Sequence, residues 1–529
     1  MTAGPIANSG VRRAEILVAL SLATDLTMGQ PLEFAMRSCA LGMRLGRVLG
    51  LGEAELGEVY CHALLRFIGC NSEAYSVAAV YGDDVALRRD FALIDPGNVA
   101  ELAALVLRHL RNANSGASAL NAAWSIAGGL AAAAKLSAPV LSAHCEVAQR
   151  LAQRLGLGDG VCRNLGQLYE RWDGRGQPAG LKGEAIALPV RVVTFAQDVI
   201  VLRNAHGDDT AFAKLKARSG KAYDPKIVDR FFKRAEELLA GLDELSSWQG
   251  VLALEPSPHV FLSEEDFDEA CLAMADFADI KSPYTAGHSR AVGELAAVAA
   301  RRCGLTAADA VVLRRAGLLH DIGQVALSAH IWNKPGPLTD GEREQIRLHP
   351  YYGERVLARP AALAALGAIV CQHHERLDGS GYHRAERASG LSPQGKILAA
   401  AEAYQSMIEP RCYRSAMAPE TAAETLKREA RDGRFDADAV AAVLAAAGHR
   451  VPAVRRDLVA GLTARELDVL RLIARGRSMK EIARELGISP KTVDNHAQRL
   501  YAKLEVKTRG GATLFAIEHG LAAAQELQK

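Results

Sequence analysis

Long uninterrupted apolar runs, paired cysteines and aromatic side chains are what this 529-residue sequence has least of. Its nine cysteines are scattered with no CxxC pair, which argues against a disulfide framework or a zinc ribbon and fits reduced thiols in a cytosol. The Ala/Gly-rich stretch from Ala117 to Ala134 is broken by Asn121 and Ser125 and followed by Lys135, so it reads as a linker or a buried helix and not as a membrane span. The apolar run ILVALSLA (16–23) follows Arg12 and Arg13, but it is short, bracketed by Glu15 and Asp25, and has no clear cleavage site. A secretory leader is therefore not expected, and a cytoplasmic location is. A net charge of +2 implies no global affinity for polyanions. The charge is unevenly spread, however: from Arg455 onward there are 14 Lys/Arg against 9 Asp/Glu, a basic end on a slightly acidic body. That asymmetry points to local nucleic-acid contact.

What the sequence does have is Ala, Leu, Arg and Glu with apolar residues recurring at spacings of three and four, which predicts an all-α protein. Its length suggests three or four domains. An internal repeat divides most of it. The segment GLGEAELGEVYCHALLRFIG (50–69) matches GLTAADAVVLRRAGLLHDIG (304–323), and ERWDGRGQP (170–178) matches ERLDGSGYH (375–383). Phe34 to Arg66 spans 32 residues, as does His288 to His320; His144 to Leu168 spans 24, as does His349 to His373; Glu170 to Gln197 spans 27, as does Glu375 to Glu402. Two copies of one helical unit, residues 1–250 and 255–450, thus precede a basic module at 458–529.

Chemistry concentrates in the second copy. His320 and Asp321 are adjacent, with His288 upstream and His349 and the doublet His373–His374 downstream. Imidazole and carboxylate ligands suit Fe, Mn or Zn, and a carboxylate can bridge two such ions that activate water against a phosphate ester. The first copy has Phe34, Arg66, Phe67, Leu168, Tyr169 and Gln197 at the corresponding positions, leaving His144 as its one candidate ligand. It is expected to hold no metal and to act as a scaffold, sensor or dimerisation unit.

The blocks HSR, HDIG, LHPYYGERVL, HHERLDGSGY, ILAAAEAYQSM, EPRCYR and GRFDADAV resemble the HD-GYP branch of the HD phosphohydrolases over about residues 265–445. Members of that family are all-helical, and many hydrolyse cyclic di-GMP with two or three Fe, Mn or similar ions. The resemblance implies a metal shell of His288, His320, Asp321, His349, His373, His374 and Glu402, with Asp321 bridging. It implies that Arg411 and Arg414 hold a substrate phosphate and that Gly379, Gly381 and Tyr382 form the loop that names the family. This chain departs from the pattern at four places. Gln324 stands where the family has Lys, Glu402 where it usually has Asp, His383 where it has Pro, and Gln405 where it has a further Asp. Tyr284 replaces the Glu of three-metal members, so two divalent transition metals are expected. Asp321, Gln324, Arg411 and Arg414 are the catalytic candidates.

At the basic end, SMKE (478–481) and TARE (463–466) read as capping boxes, Gly487 as a helix stop, and Ser489–Pro490 as the start of a new helix. In that helix Val493, Ala497, Leu500 and Leu504 share one face, while Lys491, Asn495 and Gln498 lie opposite. Four short helices over about 458–520 in this arrangement, two of them forming a helix-turn-helix, resemble the LuxR-type DNA-binding domain. The resemblance implies that Lys491, Thr492, Asn495 and Gln498 face the major groove and that Lys503, Lys507 and Arg509 lie near phosphates. A single helix reads only a few base pairs, so a homodimer on paired half-sites is expected. A connection of about ten residues (448–457) favours direct contact between the central domain and this module. Three readings stay open: a cyclic di-GMP phosphodiesterase that regulates transcription, a nucleotide-binding regulator without turnover, or a phosphohydrolase for another nucleotide.

Overall fold

The apolar run of residues 16–23 lies inside the helix Arg13–Thr27, where Ile16, Val18, Ala19 and Leu20 are fully buried. It is a core helix, apolar all round because protein surrounds it. The computed structural model describes residues 8–115, 118–450, 462, 464–518 and 521. Contacts divide the chain into two compact units, Met1–Arg450 and Val451–Lys529. Among the described residues the fold is helical, with one two-stranded antiparallel ribbon of Asn8–Arg12 and Phe261–Ser263. This ribbon straps the start of the first copy to the start of the second.

The repeat seen in the spacing is a repeat in the fold. Helices Phe34–Val48 and His288–Arg302 are both 15 residues long and begin at matching positions. Helices Glu53–Leu65 and Ala307–Leu319 are both 13 residues long and end just before Arg66 and His320. Buried Asp25 accepts the backbone N–H of Ala35 at 3.0 Å, and buried Asp279 accepts that of Ser289 at 2.9 Å. Each carboxylate thus caps the next helix start. Glu170 accepts the backbone N–H groups of Ala179, Gly180 and Leu181, while Glu375 accepts those of Arg384 and Glu386. Both carboxylates staple the loop that follows them.

Two glycines show how tightly the copies share a backbone. A Cβ on Gly69 would sit 1.9 Å from the carbonyl oxygen of His144, and one on Gly323 would sit 2.0 Å from that of His349. In each copy the turn after the Arg66/His320 position is pressed against the helix that carries the next histidine. The copies also hold each other: Asn71 donates to Phe277 O at 3.0 Å, and Arg154 pairs with Glu269 and Asp276.

The Ala/Gly-rich stretch belongs to a 36-residue helix, Ala119–Arg154. Its early part is not buried, with Trp124 79% exposed, so the expectation of a linker or buried helix is corrected to an exposed helix. Among the described residues no helix is long and apolar enough to cross a membrane.

The second unit contains helices Ala464–Ala474, Met479–Leu486, Pro490–Lys503 and Arg509–Glu518. Ser478 and Glu481 form the expected capping box, Gly487 ends its helix at φ 64°, and Ser489 caps the next helix by accepting from Thr492 N. Val493, Ala497, Leu500 and Leu504 are buried in the core of this unit. The TARE box at Thr463 and the connection from Val451 to Asp457 lie outside the described residues.

The glycine contacts generate a paired expectation. Gly69→Ala and Gly323→Ala should each destabilise by about 1–3 kcal/mol, the usual cost of overpacking, but only Gly323→Ala should also lower metal content. Thermal unfolding and elemental analysis of the two variants check this. An unchanged melting temperature for Gly323→Ala would contradict the close approach.

Candidate metal centre

Three of the four histidines that come closest to Asp321 owe their aim to helix ends. The last four carbonyls of an α-helix have no partner within it. His320 Nδ1 meets Gly317 O at 2.7 Å, in the last turn of Ala307–Leu319. His373 Nδ1 meets Val370 O at 2.6 Å, at the end of Ala361–Val370. His349 Nδ1 meets Ile346 O at 2.7 Å, in the last turn of Asp340–Arg347. Each carbonyl takes the Nδ1–H and turns Nε2 inward as the ligand atom, which is how outer groups orient metal-binding imidazoles; the Nε2 atoms of His349 and His373 meet at 3.0 Å. His288 is held differently, with Nδ1 2.7 Å from Glu409 Oε2.

The Nε2 atoms converge on Asp321. Its Oδ2 lies 3.5 Å from His320 Nε2 and 3.9 Å from His288 Nε2. Its Oδ1 lies 3.2 Å from His349 Nε2 and 3.7 Å from His373 Nε2. The carboxylate therefore divides two imidazole pairs between its two oxygens. His288, His320 and Asp321 make one group with metal-ligand spacing; His349, His373 and His374 make a second. Glu402 Oε2 approaches His374 Nδ1 at 3.7 Å.

The buried polar atoms fit a metal. His320 is fully buried, and among the described residues its Nε2 has no hydrogen-bond partner, a cost that an ion would remove. Burial pushes His320 down from 6.5 to about 4 and holds His373 and His374 well below the usual imidazole range. Burial alone would raise Asp321, but the charges of His320, His349 and His288 and a hydrogen bond from His349 outweigh it and leave the carboxyl well below its usual value. Burial lowers His288, but its hydrogen bond to Glu409 and the charges of Asp321 and Glu409 outweigh this and raise it, so it shares Asp321's preference for the charged pair until an ion displaces the proton. Neutral imidazole and ionised carboxylate are the forms that ligate. Burial raises Glu402.

The remaining sequence candidates fall into three groups. Tyr382 belongs at the site: its ring stacks on His374, centroids 4.1 Å apart at 26°. Gly379 makes the preceding turn at φ 82°, and Gly381 passes so close that a Cβ would lie 2.5 Å from Glu375 Cα. Gln324 is buried near the turn after Asp321, and neither its amide oxygen nor its nitrogen has a partner among the described residues. Arg411 sits one residue removed from the cluster. It donates to Tyr284 O at 3.2 Å and to Glu409 Oε2 at 3.3 Å, the same carboxylate oxygen that holds His288. Arg414 is not brought to the cluster. Its guanidinium caps the end of the Pro393–Ile408 helix, donating to the carbonyls of Ser406, Met407 and Glu409.

Two supporting residues had no assigned role in the sequence reading. Glu409 orients His288, and Trp332 packs edge-on against His349 with centroids 5.8 Å apart. Glu409 lies inside the EPRCYR block, so its position was visible; its partner was not.

In the first copy the same space is filled. Arg66, at the His320 position, donates to Leu168 O at 2.8 Å and Thr194 Oγ1 at 2.9 Å. Tyr169, at the His374 position, bonds His144 Nδ1 at 2.9 Å. His144 is thus a core histidine, pushed down to about 3 by burial.

In the second unit Lys491, Asn495, Gln498 and Lys507 are exposed, and Thr492 is half-buried with its hydroxyl 2.8 Å from Ser489 Oγ. Lys503 and Arg509 have partners inside the unit. Lys503 pairs with buried Glu466 at 2.7 Å, and Arg509 donates to Ile473 O and Arg477 O.

A family model described as HD domain matches residues 135–227 and 273–439, and one described as bacterial regulatory proteins, luxR family, matches residues 460–516. The chain is similar to 3'3'-cGAMP-specific phosphodiesterase 3 of Vibrio cholerae, 32% identical over 408 residues that cover 76% of this chain and 88% of the relative. It is also similar to a cyclic di-GMP phosphodiesterase of Pseudomonas aeruginosa, 38% identical over 169 residues, 31% of this chain and 40% of that one. A crystal structure of a cyclic GMP-AMP-specific phosphodiesterase from V. cholerae matches with a TM-score of 0.57 and 28% identity, over 83% of this chain and 98% of its own.

The depressed histidines set a pH dependence. In the unfolded chain an imidazole takes up its proton near 6.5, whereas folded His320 resists it down to about 4. Between those values the unfolded state holds more protons, so stability falls as pH drops, by up to about 1.4 kcal/mol per pH unit for each such histidine. Melting of the metal-free protein between pH 7 and 4 should show this loss, and His320→Gln should make it shallower. A melting temperature independent of pH over that window would refute the burial of neutral imidazoles.

Proposed function

The chain belongs to the HD-domain family and carries a luxR-family module at its C-terminal end, and on that premise we propose that it is a metal-dependent cyclic-dinucleotide phosphodiesterase joined to a DNA-binding regulator. The observation that carries this reading is Asp321, whose two oxygens each face two imidazoles. His288, His320 and Asp321 would hold one divalent ion, and Asp321, His349, His373 and His374 a second, with Glu402 at the edge. Fe or Mn suits this nitrogen and carboxylate set. When bound, such a pair supplies Lewis acidity and an activated water for attack on a phosphodiester.

The protein's own groups do the rest. Asp321 stays ionised between the imidazole pairs. Arg411, beside Glu409, would meet a phosphate oxygen, while Arg414 holds the shape of the loop that carries it. Tyr382, stacked on His374, gives the rim an aromatic edge. The relative matched over most of its length is named for 3'3'-cGAMP and others for cyclic di-GMP, so both are the substrates to test.

One observation favours a second reading, a ligand-binding module with little turnover. Gln324 puts a neutral amide where the family has a cation, and a fixed positive charge near the scissile phosphate is the kind of group that stabilises the transition state. One experiment covers both readings. The purified full chain should contain close to two transition metals and convert 3'3'-cGAMP or cyclic di-GMP to linear product. His320→Ala with Asp321→Ala should lose both properties, and Gln324→Lys should raise kcat with metal content unchanged. Stoichiometric metal in the double variant would move the site elsewhere. Metal without product from either substrate, in wild type and Gln324→Lys alike, would leave the binding module.

For the luxR-family module, exposed Asn495 and Gln498 are the base-reading candidates and Lys507 the phosphate contact, used by a homodimer on paired half-sites. Asn495→Ala should relax sequence preference. Lys507→Ala should weaken all sequences and reduce the slope of log affinity against log salt by about one. Equal slopes for wild type and Lys507→Ala, measured by fluorescence anisotropy, would remove Lys507 from the DNA contact.

A further inference from the structure

The metal-free copy reaches into the metal-bearing one through a buried cluster of charge. Asp84, in the helix Asp84–Phe91 of the first copy, is fully buried. Its Oδ1 accepts the backbone N–H of Ala329 at 2.6 Å and the hydroxyl of Ser328 at 3.0 Å. Its Oδ2 accepts from Arg88 Nη1 at 2.7 Å and faces Lys281 Nζ at 4.0 Å. Lys281, 2% exposed, donates to Val325 O at 2.6 Å. Arg88 continues the network into its own copy, donating to Cys70 O at 2.9 Å.

Asp84 grips Ser328 and Ala329 directly, and through Lys281 it reaches Val325, a few residues earlier in the same segment. Val325 lies in the turn Ile322–Ala326, which starts immediately after Asp321 and contains Gln324. Ser328 caps the helix Ala329–Trp332 by accepting from His330 N at 3.2 Å, and Trp332 packs on His349. Ala329 is buried together with Ala74 and Ala78 of the first copy. Between Asp321 and His349, then, the chain is fastened from the other copy by the Asp84 carboxylate and a small apolar contact, while Lys281 of its own copy links Val325 to that carboxylate.

Energetics make the carboxylate the key member. Buried charges persist only when paired and hydrogen-bonded, and removing one partner leaves the others uncompensated. Without Asp84 two buried cations would face each other and Ala329 N–H would lose its acceptor. The segment cannot stay where it is under those conditions, and its first residue follows the carboxylate that faces all four imidazoles.

We propose that the first copy serves as a positioning clamp on the metal centre, with Asp84 as the positioning residue that sets the segment between Asp321 and His349. The proposal rests on reading the histidine cluster as a metal centre. It also gives the degenerate copy a task that needs none of the ligands it has lost.

The test uses the full chain with Mn(II) as probe: metal affinity by chelator competition, the Mn(II) electron paramagnetic resonance spectrum, and kcat and KM with 3'3'-cGAMP and cyclic di-GMP. Outer groups that orient metal ligands typically change metal affinity or activity by about 10–100-fold. Asp84→Ala is expected to weaken Mn(II) binding by about tenfold or more and to alter the spectrum. It should lower kcat while KM changes less. Asp84→Asn keeps an acceptor oxygen and is expected to fall between it and wild type. Adding Ser328→Ala to Asp84→Ala should cost little more, because the two act through one contact. Wild-type affinity and spectrum in Asp84→Ala, or effects of Asp84→Ala and Ser328→Ala that simply add, would overturn the clamp. If Asp84→Ala does not fold, Ser328→Ala alone decides, since it removes one hydroxyl: weaker Mn(II) binding supports the clamp and unchanged binding overturns it. A wild-type chain that binds no Mn(II) would instead overturn the metal centre itself, and the clamp with it.

Discussion

A single buried carboxylate, Asp321, sets the conditions that the surrounding helices meet. An ionised group taken out of water needs compensating partners around it. Here those partners are four imidazoles, two to each oxygen, and imidazoles help only if their nitrogens are aimed. Aim comes from the leftover carbonyls of three helix ends, at Gly317, Ile346 and Val370. The lengths and stops of those helices are therefore part of the site. A helix Ala307–Leu319 one residue longer would spend Gly317 O on the backbone N–H of Asp321 instead of on the His320 ring. The same logic explains the pressed backbone at Gly323, which brings the Asp321 turn against the start of the His349 helix.

The first copy shows what the scaffold does without that carboxylate. Phe67 stands at the Asp321 position, so no anion remains at the centre for metals to share. Arg66 turns toward Leu168 O and Thr194 Oγ1 instead, and Tyr169 bonds His144. The stapling glutamate and the pressed glycine persist because they shape loops and backbone, which both copies still need. The loss of ligands thus left the architecture intact. It also left a surface able to brace the second copy: Asp84 and Arg88 on one side, Lys281 and Ser328 on the other. A buried charge cluster of this kind is weak evidence for added stability. It is better understood as a registration device, since its charges compensate one another in only one relative placement of the two copies.

Much of this was legible in the chain because it is local or periodic. Matching spacings gave the repeat, and the helices of the two copies start and stop at matching positions. His320, His349 and His373 were legible together with their aim, because each is tied to a helix end in its own neighbourhood. The recognition helix was legible from its cap, its Pro490 start and its apolar face. Long flexible cations were not. Arg414 and Arg509 carry charge in suggestive places, yet both spend their donors on helix-end carbonyls, and Lys503 spends its charge on Glu466. A guanidinium or ammonium at the end of several rotatable bonds is satisfied by whatever the tertiary fold brings near, and sequence does not say what that is. Glu409 and Asp84 went unassigned for the same reason: their partners lie 121 and 244 residues away.

The commitments of those cations bear on how the basic end works. Its excess of positive charge, counted from sequence, overstates what is available to a polyanion. Lys503 is paired with Glu466, Arg477 with Glu485 at 3.2 Å, and Arg465 approaches Asp468 at 3.9 Å. Each phosphate neutralised contributes to affinity through released counterions, so every cation held in such a pair is one fewer for non-specific attraction. Lys491, Asn495 and Gln498, by contrast, are exposed on the face opposite the core. One helix of that size spans only a few base pairs, and two together reach a useful site.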